Sequence, residues 1–267
     1  STGGGDNNVA IGSHAYGQQS TATGSGNVAI GQAAMTYASS SSNSVAIGYL
    51  AADAVTIDNK LVVIGKSAYS AMDTSNGHTS TASEGSGNTA IGYYSMAAYS
   101  SDGVVRNTAV GFETMATGAD HAAQDNVALG FRALKALTTG DKNVAVGSLA
   151  ADVLATGDHN VAVGMNALGT STAGDYNVAI GSAALFAANH TSNDGSIAIG
   201  RSALTTKNLA SGSRFDGATV AIGYQALTAL TSGAKNIAIG YNSMLLATTA
   251  TNNISIGYEA MDAMVGH

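Results

Sequence analysis

The chain has 267 residues, with 34 glycines, no cysteine, no proline and no tryptophan, and only 10% of its residues are charged. Without cysteine there are no disulfides and no thiolate metal sites. The net charge of −7 is spread along the chain, so no basic patch is offered to a phosphate backbone and nucleic-acid binding is not expected. No run of about 18 apolar residues occurs, so membrane insertion is not expected either. The chain starts at Ser1 without an initiator Met or a signal peptide, which reads as a processed product or a fragment.

Along the chain one short motif returns: a small polar residue, a β-branched residue, a small residue, an aliphatic and Gly. Its fourteen glycines are Gly12, Gly31, Gly48, Gly65, Gly92, Gly111, Gly130, Gly147, Gly164, Gly181, Gly200, Gly223, Gly240 and Gly257. The base spacing is 17, and longer repeats add 2, 6 or 10 residues. A fixed period of this kind marks a solenoid. No composition shift divides the chain, so the expectation is a single repeat domain over 1–267. Two insertions, at about 73–87 and 207–217, should protrude as loops.

Positions are counted from the motif glycine. Position −4 is Asn in ten repeats, and Ser44, Leu61, Ser196 or Thr219 in the others. Position −3 is Val, Ile or Thr, position −2 is Ala except at Val63 and Ser255, and position −1 is always aliphatic. This alternation has period two and predicts a short strand. The two large residues are expected to fill the inside of each coil, with Ala on a flat outer face. Gly permits a sharp turn at positive φ. A small residue at +3 and a large one at +4, as in Ala133-Leu134, predict a second short strand. A helical reading of 133–137 competes, although such a run is too short to hold as a helix alone.

The fold expectation is therefore all-β: a parallel β-roll, or β-solenoid, of about fourteen coils. At the spacing of paired strands the stack would be roughly 65 Å long. Asn88, Asn107, Asn126, Asn143, Asn160 and Asn177 fall at one coil position, and stacking predicts a structural amide ladder there. A smooth Ala face repeated along a thin roll is a costly exposed surface. Side-by-side association into a homotrimer would cover it, as would a dimer.

At this point the residues carry a resemblance. Asn-x-Ala-[Ile/Val]-Gly-x-x-Ala, as in 88–95 (with Ser95 for Ala) and 177–184, resembles the head repeat of trimeric autotransporter adhesins. The longer Val-Ala-Ile-Gly-Tyr-Gln-Ala-Leu of 220–227 is similar to repeats of phage tail-fibre proteins. The resemblance covers nearly the whole chain. It implies a left-handed, homotrimeric β-roll outside the cell, on a virion fibre or a bacterial surface. The repeat here is longer than that of the adhesin head. Coiled-coil stalk, membrane-anchor barrel and self-cleaving C-terminal chaperone have no counterpart in these residues.

Two sets of residues are candidates for receptor or glycan contact. His78 and Glu84 lie in the first insertion, and Arg214, Phe215 and Asp216 in the second; loops on rigid scaffolds often carry recognition. Tyr224, Tyr241 and Tyr258 follow motif glycines, as do Tyr49, Tyr93, Phe112 and Phe131. Such rings stack on sugars, or on one another between coils and subunits. Asp6, Asp141, Asp158 and Asp175 share a Gly-Asp-x-Asn turn that offers carboxylates to calcium, although Asp and Asn favour turns for their own backbone bonds. The six histidines show no zinc spacing, no Ser-His-Asp context appears and no metal or other cofactor is expected. Thr138, Thr139, Thr156, Thr172, Thr231 and Thr248 raise ice binding but keep no strict Thr-x-Thr pattern.

The functional expectation is a non-enzymatic, structural and adhesive fibre segment that presents contacts to a host-cell surface glycan or protein. The alternative is a filament subunit stacking head to tail. Joining the last motif to the first of another copy gives a spacing of 10 + 12 = 22 residues, within the range of the repeats.

Overall fold

The computed structural model describes residues 5–17, 23–70, 86–97, 103–117, 122–187, 194–206 and 218–263. It forms two compact units, Ser1–Thr139 and Gly140–His267. In the first, seven three-residue strands run in chain order: β1 (Val9–Ile11), β2 (Val28–Ile30), β3 (Val45–Ile47), β4 (Val62–Ile64), β5 (Thr89–Ile91), β6 (Thr108–Val110) and β7 (Val127–Leu129). The second repeats this with β8 (Val144–Val146), β9 (Val161–Val163), β10 (Val178–Ile180), β11 (Ile197–Ile199), β12 (Val220–Ile222), β13 (Ile237–Ile239) and β14 (Ile254–Ile256). Within each unit successive strands pair parallel and in register, as Val144 with Val161, Ala145 with Ala162 and Val146 with Val163. Each unit is thus a parallel β-solenoid, and no helix occurs among the described residues, 133–137 included.

The faces of the strand are the reverse of the expectation. Ala at −2 is buried in every strand from β2 to β13 that carries it, while the flanking Val, Thr, Ile or Leu is only half-buried or exposed. The reason is the width of the coil. The +4 residues Met35, Leu134, Leu168, Leu185, Leu204 and Leu227 are already fully buried inside it, as are Leu137 and Leu154 at +7. Little room is left opposite them, and a methyl group suits it. Ser243 at +3 donates to the Ser255 side chain at −2 of the next coil over 2.9 Å, so the two small positions meet in the interior.

The second strand does not form. Residues +1 to +4 are turn-like, with +2 and +4 in the left-handed region: Asn166 and Leu168 at φ 56° and 52°, Arg132 and Leu134 at 55° and 49°. A left-handed residue costs about 1–2 kcal/mol, so something must hold it. At +2 the N–H donates to the preceding coil, as Asn166 to Ser148 O over 3.0 Å. At +4 it donates to the following coil, as Leu168 to Ala184 O over 3.0 Å. The alternating handedness aims consecutive bonds in opposite directions, so the segment is laddered without being β. Large apolar residues at +4 tolerate this backbone because their side chains fill the core.

The motif glycine has two tasks. Gly147 sits at φ 137°, and a Cβ there would lie 2.7 Å from the carbonyl oxygen of Gly164 in the next coil. Turn and close approach therefore both require the same residue.

The Asn ladder is as expected, and buried. Asn160 donates from its backbone N–H (2.9 Å) and its side chain (3.0 Å) to Asn143 Oδ1, and its amide also reaches Gly174 O at 2.6 Å. Asn177 repeats the pattern on Asn160, and Asn107 and Asn126 do so on Asn88 and Asn107. Ser44 enters the same ladder: its N–H donates to Asn27 Oδ1 and its hydroxyl accepts from the Leu61 N–H.

Candidate functional site

Two carboxylates of the Gly-Asp-x-Asn turns, and that of Asp194 at the same coil position, are engaged with the backbone. Asp158 Oδ1 accepts the Asp141 N–H at 2.8 Å, Asp175 that of Asp158 at 2.9 Å, and Asp194 that of Asp175 at 2.7 Å. This second ladder points the opposite way to that of the asparagines. Among the described residues no group of three acidic or histidine side chains is placed to hold a metal ion. Asp6 stands at the same position, and its N–H donates to the Ser25 hydroxyl. The Thr231 hydroxyl donates to Thr248 O at 2.9 Å, so its proton is spent between coils.

His78 and Glu84, and likewise Arg214, Phe215 and Asp216, lie outside the described residues. Tyr224, half-buried, and Tyr241 and Tyr258, exposed, are brought together. Their ring centroids are 5.1 and 5.2 Å apart, with planes within 10°. The guanidinium of Arg201, one coil earlier, covers the other side of Tyr224 at 5.7 Å. In the first unit Tyr93, Phe112 and Phe131 make a matching column, with centroids 5.1 and 5.6 Å apart. Lys66 stands between Tyr49 and Tyr93, 5.9 and 5.6 Å from their centroids, and Arg132 lies over Phe131 at 4.9 Å.

These columns bear on sugar contact. A pyranose packs its C–H face on an aromatic face, and here the faces are taken by neighbouring rings and cations. Tyr241 offers only its edges. Tyr258, with 72% exposure, keeps one ring face toward solvent. Apart from that ring, the faces of the column's rings are occupied along the axis.

Beside the first column, position +2 reads Tyr94, Glu113 and Arg132 in three successive coils, and position +5 supplies Lys135. Glu113 Oε2 accepts from Arg132 Nε at 2.8 Å and from Lys135 Nζ at 3.1 Å. The hydrogen bond from Lys135, helped by Arg132, holds the Glu113 carboxyl below its usual range against a smaller opposing effect of burial. Tyr93, Tyr94, Glu113, Ala116, Thr117 and Lys135 enclose an open cleft of about 270 Å³. Sequence reasoning did not single out Tyr94, Glu113 or Lys135. Aligning the +2 and +5 columns would have shown polar and aromatic residues gathering in three adjacent repeats.

Three buried acidic or phenolic groups, Asp53, Asp58 and Tyr69, lie in coils near this region. Asp53 is buried, and loss of solvation lifts its carboxyl to about 6. Tyr69 is fully buried; burial, with Asp58 nearby, pushes its phenol well above the ordinary value. Its hydroxyl donates to Asp58 Oδ2 at 3.2 Å and accepts from the Asn88 amide at 2.9 Å. Tyr69 takes the place that Leu or Met holds elsewhere and ties the interior to the Asn ladder.

Among the described residues no helix is long and apolar enough to cross a membrane. The chain matches no protein-family model, no curated protein and no solved structure.

Proposed function

We propose that the chain is a segment of an extracellular fibre: a β-roll, taken as left-handed from the repeat resemblance, that associates side by side as a homotrimer and displays contact residues from a virion tail fibre or a bacterial surface. The role is mechanical and adhesive, not catalytic. One observation carries it. In each unit the outward residues of the strand recur at every coil, aliphatic except at Thr89 and Thr108, and leave large aliphatics partly in water, among them Val62, Ile64, Leu129 and Ile180. A contiguous apolar face of this kind marks an interaction surface. The association surface is thus the Val/Ile face, not the Ala face that the sequence suggested. Regular repetition suits an identical partner, because a second copy presents the same period.

Sedimentation equilibrium tests the reading. The expected mass is about 79 kDa, three times the chain's 26.3 kDa. Val161→Asp together with Val178→Asp, which put charges on this face, should release monomers with unchanged circular dichroism. A wild-type chain that stays monomeric at every concentration would sink the proposal.

The second reading is a filament subunit, since β1 and β14 carry the same motif. Parallel pairing of β14 with β1 of another copy would continue the ladder. Negative-stain images separate the two readings: discrete particles favour the fibre segment, and continuous threads the filament.

A further inference from the structure

We propose that the cleft bounded by Tyr93, Tyr94, Glu113, Ala116, Thr117 and Lys135 is a subsite for one pyranose residue of a neutral saccharide. The proposal deepens the display reading by naming what the rod presents and where. At about 270 Å³ the cleft lies just below the ~300 Å³ at which sites for drug-sized ligands begin, which suits a single sugar ring.

The lining selects the chemistry. Tyr94 stands 4.5 Å from Tyr93 but tilted by 53°, so it lies outside the stacked column and its ring is not sandwiched there. It supplies the aromatic surface that the columns themselves do not. Beside it a carboxylate and an ammonium sit 3.1 Å apart. An anion would meet Glu113, and a cation would meet Lys135 with Arg132 behind it. An apolar ligand would strip water from the ion pair and return nothing. A pair of neighbouring hydroxyls fits, because each both donates and accepts: one proton goes to Glu113 while an oxygen accepts from Lys135. The Thr117 hydroxyl, which donates to Lys135 O, keeps acceptor capacity for another. A pyranose combines such hydroxyls with an apolar C–H face for Tyr94.

The site is also preorganised. Tyr94, Glu113 and Arg132 are all left-handed residues, pinned by N–H bonds to Lys66 O (3.1 Å), Tyr93 O (2.9 Å) and Phe112 O (2.9 Å) of the preceding coils. A rigid frame lowers the ordering cost of binding. For a lone sugar the expected affinity is about millimolar, and several copies side by side would raise it by avidity.

The test is saturation-transfer NMR on the intact chain with the methyl glycosides of glucose, galactose, mannose, N-acetylglucosamine and N-acetylgalactosamine at 10 mM. Transfer to the ring C–H protons of at least one glycoside is expected. Tyr94→Ala and, separately, Lys135→Met should each cut it about fivefold or more. Tyr176→Ala, which removes an exposed ring in the other unit, should leave it intact. Lys135→Met guards against a folding defect in the tyrosine variant, and circular dichroism monitors both. Absence of transfer for all five glycosides overturns the subsite, as does undiminished transfer in both variants. Sedimentation of the same samples keeps the two proposals apart. A trimer without sugar contact removes the subsite and leaves the fibre reading; a monomer with sugar contact does the reverse.

Discussion

In the coils of β8, β9 and β10 the two residues after the glycine are Ser148-Leu149, Met165-Asn166 and Ser182-Ala183; in those of β5, β6 and β7 they are Tyr93-Tyr94, Phe112-Glu113 and Phe131-Arg132. The backbone at these places is the same. The second residue is left-handed in all six coils, and its N–H reaches the preceding coil wherever both partners lie in one unit. The Asn ladder runs through both regions, and the strand Ala is buried in both. What differs lies on the solvent side. One region shows small and flexible side chains, and the other a ring column, an ion-pair cluster and a cleft. The frame is set by the repeated positions, and any recognition must be written in the positions that vary.

If the frame is common, damage to it should cost the same in either region. Asn160→Ala leaves the Asn177 N–H and Gly174 O without partners, and Asn107→Ala does the same to the Asn126 N–H and Ala123 O. At about 1–3 kcal/mol for each buried orphan, both substitutions should destabilise by about 4 kcal/mol in urea unfolding. A gap of more than about 2 kcal/mol between them would mean that the two regions are not equivalent frames.

That frame was largely legible in the sequence. Asn at −4, Gly and the small residue at −2 leave a periodic record because every coil needs them. Which way the strand faced was not legible. Val-Ala-Ile alternates equally well with its large residues in or out, and the choice is made by Leu or Met at +4, which fills the coil first. The laddering of the +1 to +4 segment was hidden for a related reason: alternating left-handed residues such as Arg132 and Leu134 have no propensity signature, since nothing in the residue types marks φ of 55° and 49°. The cleft was hidden because its residues repeat nothing. Tyr94, Glu113 and Lys135 come from three coils and are visible only once the coils are stacked.

A smaller effect is expected where the two units share a short motif in different surroundings. Ala-Ala-Asp occurs at +3 to +5 in the coils of β3 and β8, ending in Asp53 and Asp152. Asp53 is buried and Asp152 only half-buried. With the Asp53 carboxyl lifted from 3.8 to about 6, the folded state binds its proton more tightly than the unfolded chain does. Its charge therefore weakens the fold fully above about pH 6, and that penalty is relieved as pH falls from about 6 toward 3.8. Asp53→Asn should raise stability at pH 7 by about 2 kcal/mol and flatten this part of the pH profile. Asp152→Asn should change stability by less, since water still reaches that side chain. A stability that falls, not rises, between pH 6 and 4 because of Asp53 would reverse the assignment.

The smallest effect belongs to the feature that looks most functional. Phe112 lies between Tyr93 and Phe131, at 5.1 and 5.6 Å, yet is 42% exposed. Ser148 and Ser182 stand at the same position in the plainer coils. Phe112→Ser should therefore cost only about 1 kcal/mol, the worth of one or two exposed ring contacts, and leave the register of β5 to β7 unchanged. Tyr241→Ala should cost a similar amount for the same reason, with its neighbours at 5.1 and 5.2 Å. Thermal unfolding of the two variants measures both. Losses above about 3 kcal/mol would make the rings part of the frame. The contrast between a shared scaffold and a variable outer surface would then have to be redrawn, with the columns counted among the elements that hold the coils together.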